Sequence, residues 1–196
     1  MSAKPVGKDG LPLITPRSRA EFMRWLARNG ATQPGCWIRV AKKGTGIPSL
    51  TWDEAVEAAL CHGWIDGTRV GEDEQWYRQR FTPRRPRSRW SKLNVDRVAA
   101  LIASGEMTEA GLREVEAAKA DGRWDAAYHG PANARTPADL QAALDADPKA
   151  AAFYATLSSA NRFAIIYRVE DAKRPATRAA RIEKYVTRCH EGLPPD

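Results

Sequence analysis

At 196 residues, with 43% hydrophobic and 28% charged content, the chain is long enough to bury a core and too apolar to stay disordered. It carries 31 Lys+Arg against 24 Asp+Glu, a net of +7, which favours anionic partners. Cys36, Cys61 and Cys189, with no C-x-x-C, exclude a disulfide framework, and no apolar run reaches the roughly 18 residues of a membrane span.

Residues 1–17 carry Gly and Pro without periodicity and read as a flexible N-terminal arm, with Leu11, Leu13 and Ile14 pinned to the body. The arm lacks the apolar stretch of a secretion signal, so the expected location is cytoplasmic. Ser18-x-x-Glu21 is a capping box that opens a helix with Phe22, Trp25 and Leu26 on one face. Cys36–Ala41 alternates and predicts a strand, ending in a Lys42-Lys43-Gly44 turn. Thr51-x-x-Glu54 is a second capping box, and Gly63 breaks the helix it starts. A hairpin follows, through Val70 and back from Gln75 to Phe81, with the turn at Gly71–Glu74.

The charge excess is local. Trp76–Val95 holds seven cations (Arg78, Arg80, Arg84, Arg85, Arg87, Arg89 and Lys92) and no acid; without them the chain balances at 24 to 24. Pro83 and Pro86 keep the middle of this segment out of helix and sheet. A helix from Ser88 or Ser91 should bury Val95, Val98, Ala99 and Ile102, and one over 108–120 should bury Leu112, Val115 and Ala118. Residues 129–137 read as a linker. Beyond it the spacing predicts helices only, with Thr136 capping the first of them, Asp147 the second and Thr177 the last. The fold class is therefore α+β: a small antiparallel sheet of about three strands packed with helices over 18–128, followed by an all-α segment over 138–196.

ALCHGWIDG (59–67), RFTPRRPRSRWSKLN (80–94), GEMTEAGLREVEAAKADGRW (105–124) and AKRPATRAARIEKYV (172–186) resemble the YdeI/OmpD-associated, or bacteriocin-protection (OmdA-like), family of bacterial proteins. The resemblance runs from about Trp25 to Val186 and implies a role in protection against antimicrobial peptides or stress. It implies no reaction. The family pattern has Phe where this chain has His62.

Arg84, Arg85, Arg87 and Arg89 are spaced to converge on one anion, since a guanidinium pairs bidentately with phosphate or carboxylate. Ser88, Ser91 and Asn94 sit near a helix start, and Trp64 and Trp90 are candidate pocket walls or stacking platforms. The alternative is that these arginines pair with the chain's own acids: Asp66, Glu72, Asp73 or Glu74. Asp66, between a helix and a strand, reads as an arginine partner of lowered pKa, or as the base of an enzyme that also uses Arg84. Lys42 and Lys43 complete the anion site only if their strand end lies beside the loop. Cys61 and His62 are adjacent and point apart on a helix, which does not suit a nucleophile pair. His129 and His190 lack metal-ligand spacing, and no metal or cofactor is expected. Taken together, the residues predict a non-catalytic protein. Its partner is an anionic small molecule or a polyanion, with nucleic acid as the alternative and no membrane insertion.

Overall fold

The computed structural model describes residues 9–131 and 133–196; the start of the expected N-terminal arm, residues 1–8, lies outside them. The chain divides into two units, one ending at Ala127 and the other spanning Tyr128–Asp196.

The first unit runs β1 (Leu13–Ile14), α1 (Arg19–Asn29), β2 (Cys36–Ala41), α2 (Trp52–Cys61), β3 (Trp64–Gly71), β4 (Trp76–Pro83), α3 (Lys92–Ala103) and α4 (Glu109–Ala120). The sheet has four strands in the order β1-β2-β4-β3, not three. It is also mixed, because β1 pairs parallel to β2 while β2–β4 and β3–β4 are antiparallel. Two paired residues in the arm carry no period to read, so the extra strand left no trace in the sequence pattern.

Alternation decides the faces of the sheet. Cys36, Ile38 and Val40 of β2 and Tyr77, Gln79 and Phe81 of β4 point inward, against Phe22 and Leu26 of α1 and Val56 and Leu60 of α2. Trp37, Arg39, Trp76, Arg78 and Arg80 take the other face and stay half-exposed.

In the first unit the caps follow local chemistry with one departure. Thr51 and Glu54 form the full box: Thr51 Oγ1 accepts from Glu54 N at 3.2 Å, and the Glu54 carboxylate accepts from Thr51 N at 2.7 Å. At Ser18 only half of the box forms, because the Glu21 carboxylate accepts from Arg17 N at 2.8 Å instead.

On two helices the expected face holds in part, at Val98 of α3 and at Val115 and Ala118 of α4. On α3 the buried side chains are Asn94, Val98 and Leu101, and Ile102 is exposed. On α4 they are Gly111, Val115 and Ala118, and Leu112 is exposed. The cause on α4 is a close approach. Thr108 donates to the Cys61 carbonyl through both its backbone N (3.1 Å) and its Oγ1 (2.6 Å). That seats the helix start on the end of α2, where only a glycine fits at position 111.

The second unit is four helices: α5 (Ala138–Asp145), α6 (Pro148–Thr156), α7 (Ser159–Glu170) and α8 (Pro175–His190). Its own core joins Leu140, Leu144, Tyr154, Ile165, Val169, Tyr185 and Cys189, with Ala134 packed against it. Asp147 caps α6 as expected, through Ala150 N at 3.0 Å. Thr136 and Thr177 do not cap: Pro137 and Arg174 hold the cap positions of α5 and α8, and neither makes a side-chain cap.

Candidate functional site

The Arg-rich segment begins as a strand and ends as a helix cap. On β4 the outward Arg78 stands directly opposite Arg39 of β2. Two like charges so placed repel, and the Glu72 carboxylate resolves this by accepting from both Nε atoms, at 2.9 Å from Arg78 and 3.1 Å from Arg39. The hydrogen bond from Arg78 is the main reason Glu72 is held below the usual carboxylate range. Arg39 also lies over the Trp76 ring at 4.6 Å. Arg80 pairs with Asp9 at 3.4 Å, and Asp9 also accepts from Trp37 Nε1 at 2.9 Å.

After Pro83 the chain turns inward. Arg84 N donates to the Gly63 carbonyl at 2.9 Å, which fastens the loop to the start of β3. The Arg84 side chain is only 6% exposed. Its guanidinium lies 3.5 Å over the Trp90 ring and donates to the Arg89 carbonyl at 3.2 Å. Arg85 and Arg87, by contrast, are exposed. Between them the loop is closed tightly: Ser88 N donates to the Arg85 carbonyl at 2.8 Å, and Arg85 N donates to Ser88 Oγ at 2.9 Å. Arg123 of the first unit adds a cation here, donating to the Ser88 carbonyl at 2.9 Å while paired with Asp121. Ser91 caps α3 through Asn94 N at 3.2 Å, and the Asn94 side chain is turned into the fold at 8% exposure.

Arg89 is half-buried, and the other six cations divide. Arg78 and Arg80 are held by acids of the chain. Arg84 is buried against an indole. Among the described residues no carboxylate pairs with Arg85, Arg87 or Lys92.

Two expected platforms belong to the core instead. Trp64 is 1% exposed, donates to the Gly30 carbonyl at 3.3 Å and meets Trp25 edge-on. Trp90 is 2% exposed, between Arg84 and Trp124, whose ring is 4.9 Å away. Neither offers a face to an external ring. Lys42 and Lys43 also drop away from the loop. Antiparallel pairing sets Ala41 opposite Trp76, so these lysines follow the far end of the strand, roughly 25 Å along the sheet from Arg84. There Lys42 Nζ donates to the Asp73 carbonyl at 2.7 Å.

Asp66 is half-buried and accepts from Trp52 Nε1 at 3.3 Å. Burial pushes its pKa up, and the Trp52 bond and the charges of Arg84 and Arg97 offset this only in part. The expected lowering by an arginine partner is thus reversed, because desolvation of the carboxylate wins. Arg97 lies over Trp52 at 5.1 Å and pairs with Asp53. Trp52 and Arg97 were not legible as part of this corner; only the helix cap before Trp52 hinted at its placement. Cys61 is buried and its thiol is pushed up by desolvation, so it is not an activated nucleophile. Among the described residues no three His, Cys, Asp or Glu side chains gather to hold a metal ion. No helix of the described residues is long and apolar enough to cross a membrane.

Residues 14–114 match the domain of unknown function DUF8412, and residues 133–192 match the family described as bacteriocin-protection, YdeI or OmpD-associated. The chain belongs to the DUF8412 family. No curated protein and no solved structure matches it. The two matches separate what the sequence motifs had joined. AKRPATRAARIEKYV (172–186) falls inside the bacteriocin-protection match. The Arg-rich loop and the Asp66 corner fall inside the DUF8412 match.

Proposed function

We propose that the protein is a non-catalytic, protection-type protein whose first unit binds an anionic ligand or polyanion through the outward cations of the 84–94 loop. One observation carries this reading. Arg85 and Arg87 are exposed on a loop closed by two hydrogen bonds, and no acid of the described chain neutralises them. A rigid loop that presents forked donors loses little entropy when it captures phosphate or carboxylate. Arg84 and Trp90 are the support of that loop and make no contact with the ligand. The match of residues 133–192 to the bacteriocin-protection family supports the protective role.

A second reading, nucleic-acid binding, is favoured by the row that β4 prolongs. Arg78 and Arg80 lie on its outward face beside Trp76, in line with the loop that follows. The experiment that separates the two measures binding of short polyphosphate, single-stranded RNA and duplex DNA at two salt concentrations. It compares the unaltered chain with Arg85→Ala/Arg87→Ala. The proposal expects salt-sensitive binding that the double variant loses while its melting temperature holds. Duplex binding with a log–log salt slope of about −0.9 per phosphate contacted would favour nucleic acid. Binding to all three that ignores the double substitution would sink the loop as the site.

A further inference from the structure

The second unit contains a cavity of about 320 Å³, lined among others by Thr136, Tyr154, Ser159, Arg162, Phe163 and Ile166. It lies at the beginning of α7, which supplies Ser159, Arg162, Phe163 and Ile166. Phe163 and Ile166 are its apolar lining. Arg162, Thr136, Tyr154 and Ser159 bring one cation and three hydroxyls, with no carboxylate among the lining residues.

The hydroxyls are arranged. Thr136, expected to cap α5, instead sets Oγ1 3.0 Å from the Tyr154 hydroxyl. Two hydroxyls joined to each other use one of their two protons in that bond. The other is left to donate to a further acceptor. Tyr154 is 8% exposed, and burial pushes its phenol up, so it stays a protonated donor. The Arg162 charge acts on this hydroxyl. The guanidinium itself is engaged only at the limit of hydrogen bonding, by the Ala155 carbonyl at 3.5 Å, and no acid of the described residues pairs with it. A cation and a spare O–H thus face a space that Phe163 and Ile166 also line.

We propose that this cavity is a binding site for a small monocarboxylate with an apolar body. The carboxylate sits on Arg162 and the Thr136–Tyr154 hydroxyl pair, and the apolar body lies against Phe163 and Ile166. One cation balances one negative charge, which favours a carboxylate over a phosphate dianion. The volume falls at the small end of the range of ligand pockets, about 300–1,000 Å³, and suits a ligand of roughly ten heavy atoms.

The test uses the isotope-labelled full chain and three probes followed by NMR: benzoate, benzamide as its uncharged isostere, and phenyl phosphate. Saturable shifts are expected at the Ile166 methyls and the Phe163 ring, with benzoate binding about tenfold more tightly than benzamide. Arg162→Gln should erase that preference. Ser159→Leu, at an exposed position where folding is not at stake, should fill the cavity and abolish the shifts. The site is overturned if about 10 mM benzoate produces no saturable shift, if benzamide binds equally well, or if the Ser159→Leu protein binds as before. Tighter binding of phenyl phosphate would overturn the monocarboxylate class.

Discussion

The guanidinium of Arg84 lies 3.5 Å above the indole of Trp90, and the two are buried together beneath the loop that joins β4 to α3. The next arginine, Arg85, is exposed. Adjacent members of one basic run thus do opposite work, and substitution separates them. Arg84→Ala removes the stack and the donor to the Arg89 carbonyl, and should lower unfolding stability by about 2–3 kcal/mol. Arg85→Ala, at a surface position, should stay within about 0.5 kcal/mol of the unaltered protein. Urea denaturation of both variants decides it; equal midpoints would refute the division.

Glu72 is the counter-ion of two opposed arginines, so its loss should show as repulsion. Glu72→Gln should destabilise the protein by about 1 kcal/mol, a figure kept small because all three side chains are partly solvated. The loss should shrink as salt is raised, since screening replaces the missing carboxylate. Because its pKa is lowered in the fold, Glu72 contributes stability above its unfolded value and loses it as pH falls through the folded one. A Glu72→Gln deficit that is independent of salt would argue for a packing defect instead.

What the sequence disclosed, and what it hid, follows from range. Ser18, Thr51 and Asp147 cap helices within three or four residues of themselves, and all three were legible. The β3–β4 hairpin was legible for the same reason. The rest depended on partners distant in the chain. Arg80 meets Asp9, and Thr136 gives up its cap for Tyr154. Asp66 meets a tryptophan fourteen positions away. The composition of the Arg-rich segment located the charge but not its direction, because Arg84 and Arg85 are identical neighbours of which the fold buries one and exposes the other. Val98, Val115 and Ala118 were legible as core, whereas Ile102 and Leu112 were misread because they are apolar enough to imitate core positions.

The raised pKa of Asp66 gives a pH signature of opposite sign to that of Glu72. A carboxyl whose folded pKa lies above its unfolded one favours folding most below the unfolded value. That contribution is lost as pH rises through the folded value. Asp66→Asn keeps an acceptor for Trp52 Nε1 and never ionises. Its stability relative to the unaltered chain should therefore grow from acidic pH, near the ordinary aspartate range, toward neutrality. Taking the difference between the two proteins cancels the other titrating acids. Chemical denaturation at several pH values measures it, and a difference that falls toward neutral pH would mean that the arginine charges outweigh burial.

The close approach at Gly111 sets how α4 seats on α2, and it makes a sharp contrast with another glycine. A methyl at position 111 would overlap the Cys61 carbonyl and come within 2.8 Å of the Leu60 carbonyl oxygen, where neither helix has room to move. The same helix start is fixed there by both Thr108 hydrogen bonds to Cys61, so relief by sliding would break them. Gly111→Ala should therefore cost about 2–3 kcal/mol despite the better helix propensity of alanine. At Gly105 the backbone has φ +73° but nothing lies within 4 Å of an added methyl. Gly105→Ala should cost only the backbone strain, about 1 kcal/mol. Paired thermal melts test the order of the two. If Gly105→Ala proved the more damaging, contact with the end of α2 would not be what fixes position 111 as glycine.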